Sequence, residues 1–176
     1  MNYFREEASV EGLRGTIERI NISPGGVPKR SIREARVTAN GLEGDLCAHP
    51  RIHGGPQKAV LLLAAETVDA LIADGFPLFY GALGENLTTR GLDRTQLRIG
   101  QRLRVGEVLL ELTKIRKPCA TLDVYGPAIR DAIYDDAARE GDATSPRWGM
   151  SGFYASVARA GIIRQHDIIV MVDQAV

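Results

Sequence analysis

The chain has 176 residues, 22 basic and 22 acidic, so its formal net charge is zero. A balanced charge provides no overall attraction to nucleic acid or to an anionic membrane. The length suits one domain with a sizeable core and is short for two. No apolar run is long enough to cross a bilayer, and the N-terminus lacks the basic-then-apolar order of a signal peptide. We therefore expect a cytoplasmic protein that binds neither nucleic acid nor membrane.

Short apolar or alternating runs, punctuated by glycine and proline, predict strands along most of the chain. In chain order the predicted strands cover residues 10–22, 32–38, 58–64, 97–105 with an interruption at Gly100, 108–115, 152–159 and 168–172. The continuous apolar run of 58–64 predicts a strand buried on both faces. Helical periodicity predicts a short helix over 66–73 and an amphipathic helix over 127–140, with Ile129, Ile133 and Ala137 on one stripe. The result is a mainly β fold with inserted α helices, which resembles a barrel more than a parallel sheet.

A glycine-rich stretch, residues 40–57, contains four glycines, two histidines and two prolines and has no periodicity. Long loops of this kind in compact domains are often functional. His53 beside Gly54 and Gly55 would let backbone amides approach an anion or a polar ring, and Lys58 could add a charge. The alternative is a glycine-rich hairpin whose histidines only cap backbone groups.

The same stretch invites a metal hypothesis, because Asp45, Cys47, His49 and His53 are all possible zinc ligands. The hypothesis is disfavoured, since no CxxC or HExxH pair fixes their geometry. A second polar cluster, Glu85 and Asn86, lies at a predicted strand edge, where the amide could both donate to and accept from a heterocycle. The alternative there is a turn that leads into a strand with its polar groups already satisfied.

The last cluster surrounds Cys119, one of only two cysteines, the other being Cys47. In a reducing cytosol both would be free thiols, although one disulfide between them stays possible. Pro118 favours a turn or a helix start at Cys119. Nearby positive charge favours the thiolate, which attacks electrophiles and ligates soft metals. The alternative is a small buried hydrophobe.

The strand before Cys119 should carry positive charge towards it. Val108, Leu110 and Leu112 share one face, and strand alternation continues that face through Lys114 and Arg116. A further cation, Lys117, follows. The core-facing side of the strand is thus predicted to become basic as it approaches the thiol.

Taken together and in this order, the clusters resemble the MOSC domain, found at the C-terminus of molybdenum cofactor sulfurases and in small stand-alone proteins. The resemblance covers about residues 11–172 of one predicted domain, 1–176. It rests on residues 41–45, 53–60, 84–87, 97–100, 105–106, 109–112, 116–119, 152–155 and the terminal strand.

The resemblance implies a mostly barrel β fold in which one cysteine, here Cys119, binds a sulfur- or molybdenum-bearing species. In relatives that reduce N-hydroxylated compounds, the pyranopterin molybdenum cofactor occupies this domain, and the matching thiolate ligates the metal. A soft thiolate suits such a metal. The residues expected to line the cofactor pocket are His53, Gly54, Gly55, Lys58, Glu85, Asn86 and Arg116.

The sequence shows no pyridoxal phosphate lysine domain, no CxxxxCxxC iron–sulfur motif and none of the extra domains of larger family members. A reductase of this size would therefore need a separate electron-transfer partner besides its small-molecule substrate. Two alternatives stay open. The domain could carry a persulfide on Cys119, supplied by a sulfur-donor protein, or it could be a binding-only fold with an inert Cys119.

Overall fold

The structure is a computed structural model that describes residues 12–47, 51 and 54–172. The strands in this part of the chain are β1 (Arg14–Ile22), β2 (Arg30–Ile32), β3 (Glu34–Thr38), β4 (Gly41–Leu42), β5 (Val60–Ala64), β6 (Leu87–Arg90), β7 (Arg102–Val105), β8 (Val108–Ile115), β9 (Phe153–Arg159), β10 (Gly161–Arg164) and β11 (Ile168–Val172). The helices are α1 (Ala65–Ala73), α2 (Ile129–Ile133) and α3 (Asp136–Arg139), and 3₁₀ turns cover Pro56–Lys58, Arg94–Gln96 and Ala120–Tyr125.

Seven of these strands close into a barrel, in the order β1, β11, β7, β8, β9, β5, β6 and back to β1. The β5–β6 pair is parallel, and the other six pairs are antiparallel. A parallel pair needs a long crossover, which α1 and the loop after it provide. Closure leaves no free edge in the ring. The predicted β-barrel with inserted helices is confirmed.

Two small additions flank the ring. β2 pairs with β1, and β10, β3 and β4 form a separate three-stranded sheet. β4 lies inside the glycine-rich stretch 40–57, so this sheet holds the start of that stretch. Among the described helices, none has the length and apolar character needed to span a membrane.

β5 contributes to two hydrophobic cores at once, because all five of its residues are buried. Val60 and Leu62 belong to the cluster inside the barrel, whereas Leu63 belongs to a second cluster under the helices, with Ile129 and Ile133. A strand covered on both faces reads as a continuous apolar run. The prediction of a doubly buried strand here is confirmed, although it begins at Val60, after a 3₁₀ turn.

The predicted helix over 127–140 is wrong as a single element. Tyr134 is extended, with φ −153° and ψ 139°, and it separates α2 from α3. The Asp135 side chain then caps α3 by accepting a 2.7 Å hydrogen bond from the Ala138 amide. Ile129 and Ile133 are buried as expected, but in α3 the buried residue is Ala138. A capping aspartate thus overrides the apolar periodicity.

Other predicted strands differ in extent. The strand over 32–38 divides at Arg33 into β2 and β3, and only residues 102–105 of the strand over 97–105 are extended. The latter is shortened by Gly100, whose φ of 89° belongs to a turn. β10 was missed because Gly161 reads as a connection. The first strand begins at Arg14, and residues 10 and 11 lie outside the described part of the chain.

Replacing Gly41, the first residue of β4, would show how closely this strand packs against Ala59. Its φ is 105°, and a Cβ there would overlap the carbonyl oxygen of Ala59, whereas Gly75 has φ 95° with open space around it. Both Gly→Ala variants incur the backbone strain, so their difference isolates the collision. We expect Gly41→Ala to lower the free energy of unfolding by about 1–3 kcal/mol more than Gly75→Ala. Urea titration measures this, and equal losses would contradict it.

Candidate active site

A pocket with a cavity volume of about 190 Å³ lies where β8 ends. Its wall includes residues from four stretches, 26–29, 40–47, 54–61 and 116–121, together with Gly84, Asn86 and Tyr154. The glycine-rich loop, the start of β5 and the corner after β8 therefore meet around one space. The family resemblance implied one pocket lined by the glycine-rich loop, the Glu85–Asn86 cluster and the Cys119 corner.

The structure brings most of the predicted site residues together. The pocket is lined by Gly54, Gly55, Lys58, Asn86, Arg116 and Cys119. Glu85 is not part of the wall; it is fully buried behind it. His53 and His49 lie outside the described residues, so their predicted roles stay predictions.

A bulge in β8 turns Lys114 away from the core. The pairing of β8 with β9 shifts register between Leu112 and Lys114. Leu112 is buried, Lys114 is exposed, and Arg116 is only 5% exposed. The prediction that the core face continues through Lys114 is therefore wrong, because the bulge's extra residue breaks the alternation. Of the three cations before Cys119, Arg116 alone is buried, since Lys117 is also exposed.

Cys119 occupies the position before the 3₁₀ turn Ala120–Tyr125, with φ −119° and ψ 170°. The predicted turn or helix start at this residue is confirmed. The thiol is half-buried and borders the pocket, and its Sγ lies 2.8 Å from Oγ1 of Thr121. Cys119 is therefore accessible to a small molecule in the pocket and is not enclosed by hydrocarbon side chains.

Arg116 is fixed by its backbone and has an unused side-chain donor. Its amide donates to the Gly152 carbonyl at 2.9 Å, and its carbonyl accepts from the Ser151 hydroxyl at 2.6 Å. Nη1 of its guanidinium is buried and has no hydrogen-bond partner among the described residues. Leaving such a donor unsatisfied is costly. Arg116 also lines the pocket, so a buried positive charge borders the same space as Cys119.

Charged and polar groups surround this guanidinium. Burial lowers the pKa of Arg116, and the charges of Tyr154, Cys119 and Glu85 act in the opposite direction. Arginine keeps its proton in proteins at neutral pH. A fixed positive charge thus lies within electrostatic reach of both the Cys119 thiol and the Glu85 carboxyl.

Glu85 supports the site from behind. Its Oε1 accepts hydrogen bonds from the Gly81 amide at 2.6 Å and from the Thr88 hydroxyl at 3.1 Å. Its Oε2 is buried without a partner among the described residues. Burial raises the pKa of the Glu85 carboxyl, and the hydrogen bonds and the Arg116 charge only partly offset this. Glu85 therefore holds the turn before β6 and lies next to Arg116 without lining the pocket.

Asn86 joins the loop to the barrel. Its Oδ1 accepts from the Leu61 amide at 3.0 Å, and its Nδ2 donates to Oδ2 of Asp45 at 2.8 Å. Asp45 also accepts from the Ser23 amide at 2.9 Å and forms an ion pair with Lys29. The Asn86 amide is thus engaged within the protein, and it fixes the wall of the pocket.

Tyr154, to which sequence reasoning gave no role, also lines the pocket. Tyr154 is largely buried, and burial raises the pKa of its hydroxyl; Arg116 lowers this pKa, whereas Cys47 and Cys119 raise it. The Lys58 ammonium lies 5.9 Å from the centre of the Tyr154 ring. Burial and neighbouring Lys114 lower the pKa of Lys58, and Cys47 raises it. Cys47 is therefore a second thiol of the pocket. Its position in the glycine-rich loop was the sequence feature that could have indicated this.

The fold is thus a barrel with a pocket where β8 ends, and the pocket is lined by a cysteine and a buried arginine. A family model described as "MOSC domain" matches residues 49–170, which is more than half of the chain. The chain belongs to the MOSC domain family, as its sequence motifs predicted.

Individual relatives agree with this assignment. Protein YiiM of Escherichia coli (strain K12) is 37% identical over 97 residues, which cover 52% of this chain and 43% of that protein. Uncharacterized protein YflK of Bacillus subtilis (strain 168) is 35% identical over 101 residues, which cover 55% of this chain and 45% of that protein. The matched region thus spans less than half the length of either relative.

Solved structures share the fold. The crystal structure of YiiM from Geobacillus stearothermophilus superposes with a TM-score of 0.68 at 23% identity, over 90% of this chain and 75% of that chain. The crystal structure of a hypothetical protein gives a TM-score of 0.71 at 24% identity, over 93% of this chain and 70% of the other.

Replacing Asn86 should loosen the wall of the pocket. Asn86→Ala removes the partner of the buried Leu61 amide and one donor to Asp45. We expect a loss of about 1–3 kcal/mol in the free energy of unfolding. Asn40→Ala is the control, because Asn40 borders the same pocket but is exposed, and it should change stability by no more than about 0.5 kcal/mol. Urea unfolding measures both, and similar small effects would refute the role of Asn86.

Burial of Glu85 should make stability depend on pH. Because the folded-state pKa of Glu85 lies above its ordinary value of 4.5, its contribution to stability is complete below that pH and is lost as pH rises through the folded pKa. The amide side chain introduced by Glu85→Gln does not ionise, so we expect the variant to gain stability relative to wild type as pH increases. Urea unfolding between about pH 5 and 8 measures the difference.

The control for this measurement is Glu140→Gln, since Glu140 is exposed. Its stability relative to wild type should stay constant over the same pH range. If the Glu85→Gln difference were equally constant, Glu85 would not be a carboxyl with a raised pKa.

Proposed function

We propose that this protein binds the molybdenum cofactor, with Cys119 as the metal ligand, and takes part in reducing N-hydroxylated compounds. The observation that carries the proposal is the Cys119 thiol, which borders a pocket beside the buried, unsatisfied Nη1 of Arg116. Membership of the MOSC domain family supports it.

The donor groups of the pocket fit such a cofactor. A soft thiolate is a suitable ligand for molybdenum in a sulfur-rich environment. The cofactor also carries a phosphate and metal-bound oxygen, for which Arg116 and Lys58 provide positive charge. The cavity of about 190 Å³ is below the roughly 300–1,000 Å³ of pockets that enclose most of a drug-sized ligand. Part of a pterin-sized group would therefore lie at the open mouth.

When bound, the cofactor would supply two-electron reduction of an N–O bond. Cleaving that bond also consumes protons, and Tyr154 is placed to provide one. It lines the pocket, and an ordinary phenol is protonated at neutral pH. The positive charge of Arg116, which also lines the pocket, would stabilise the departing oxygen.

The electrons must reach the pocket from elsewhere. The sequence has two cysteines, too few for a four-cysteine iron–sulfur cluster. We therefore propose that a separate electron-transfer protein is the partner of this chain, and that the substrate is a small molecule.

The small cavity favours a second candidate function, a sulfur carrier. A persulfide on Cys119 adds a single sulfur atom, which needs little of the 190 Å³. Positive charge from Arg116 would stabilise the terminal sulfur anion. In this case the partner would be a sulfur-donor protein.

Metal and pterin analysis tests the first proposal. Wild type, Cys119→Ala and Cys47→Ala are purified without oxygen from a host that makes the cofactor. We expect molybdenum and pterin fluorescence in wild type and their loss in Cys119→Ala, because the ligand is gone. Cys47→Ala removes the other thiol of the same pocket and shows whether the loss is specific to Cys119. The same trace of molybdenum in wild type and Cys119→Ala would show that the ligand assignment is wrong.

Intact mass separates the two candidate functions in the same samples. A cyanide-labile mass increase of one sulfur atom on Cys119, with no pterin, would favour the carrier. Pterin together with molybdenum, and an unmodified polypeptide mass, would favour the cofactor site.

A further inference from the structure

The pocket contains both cysteines of the chain, although they lie far apart in sequence. Cys47 is exposed at the rim, and Cys119 is half-buried after β8. Both are free thiols, and both raise the pKa of the same group, the Tyr154 hydroxyl. The fold thus directs two thiols towards one small space.

The position of Cys47 is set by the loop that carries it. Two residues earlier, Asp45 is held by the Ser23 amide, by Lys29 and by Asn86. The Leu46 amide donates to the Ser23 carbonyl at 2.8 Å. These bonds anchor the backbone up to the residue before Cys47. The thiol is therefore presented at the pocket by a secured segment.

Cys119 has the surroundings expected of a thiol that reacts with an oxygen electrophile. The Thr121 hydroxyl lies 2.8 Å from its sulfur. Arg116 is 95% buried and lines the same pocket, and its buried Nη1 has no partner among the described residues. A cationic donor of this kind can bind the oxygen atoms of a peroxide and stabilise the hydroxide that leaves.

We propose that Cys119 and Cys47 form a dithiol pair that reduces hydroperoxides. The Cys119 thiolate attacks the peroxide, the O–O bond breaks, and Cys119 becomes a sulfenic acid while water or an alcohol leaves. The Cys47 thiolate then attacks the sulfenic sulfur, the S–O bond breaks, and a second water leaves as the disulfide forms. Two thiols have then given two electrons to one peroxide, and an external dithiol restores them.

This activity does not depend on the molybdenum assignment, because it needs only the two sulfur atoms and Arg116. Closing the disulfide would, however, remove Cys119 as a ligand or as a sulfur carrier. Oxidation of the two thiols to a disulfide would therefore also stop either proposed function.

Thiol counting after oxidation tests the pair. Reduced, metal-free wild type receives one equivalent of hydrogen peroxide. We expect the loss of both thiols, a monomer lighter by two hydrogen atoms, and a Cys47–Cys119 peptide in a non-reduced digest. Dithiothreitol should restore both thiols. Disulfide formation needs Cα atoms within about 7 Å, so it also measures how close the loop brings Cys47.

The single variants separate the roles of the two thiols. Cys47→Ala should accumulate a Cys119 sulfenic acid that dimedone traps, and Cys119→Ala should consume peroxide only as fast as free cysteine does. The proposal is overturned if both wild-type thiols survive, if the disulfide joins two chains on a non-reducing gel, or if Cys119→Ala reacts as fast as wild type. Because the thiol count uses wild type alone, misfolding of a variant cannot decide the result.

Discussion

The buried guanidinium of Arg116 is the feature on which the rest of the site depends. Removing a charged group from water costs several kcal/mol unless other groups compensate, and here the compensation is incomplete, since Nη1 has no partner among the described residues. The barrel holds the residue in place through the backbone bonds that join Arg116 to Gly152 and Ser151. A cost maintained in this way is typical of a binding or catalytic site, where a donor must be ready before the ligand arrives.

The same constraint explains why overall charge says little about this protein. The chain is neutral, yet its pocket has Arg116 and Lys58 in the wall and cysteine sulfurs beside them. Asp45 in the same wall is paired with Lys29, so positive charge predominates there, and charges in a partly enclosed space are less screened than charges on the surface. An anion is therefore attracted at the pocket and not by the molecule as a whole. The Asn86–Asp45 hydrogen bond matters because it holds the glycine-rich loop in the same pocket wall as Arg116 and Lys58.

Much of the fold follows from sequence periodicity. The wrong predictions come either from a local signal that was outweighed or from strand pairing that the sequence does not show. The apolar run of β5 indicates burial on both faces without help from the structure. The break at Asp135 was readable as a cap, but the stronger helical stripe concealed it. The bulge in β8 could not be read from the sequence, because it exists only through pairing with β9. The site shows the same division. The turn at Cys119 follows from neighbouring residues, whereas the place of Cys47 in the pocket wall depends on the barrel and on the Asp45 contacts.

The candidate chemistries share one physical requirement, an anionic sulfur beside a fixed cation. Metal ligation, persulfide storage and attack on a peroxide all use the thiolate or its sulfur anion, and all gain from the Arg116 charge. What differs is the size of the cargo and the role of the second thiol. A pterin group would extend beyond a cavity of about 190 Å³, whereas a single sulfur or a peroxide would fit inside it. The glycine-rich loop, which carries Cys47, would therefore differ in its role from one ligand to another. The Cys119 thiol and the Arg116 guanidinium would be common to all of them.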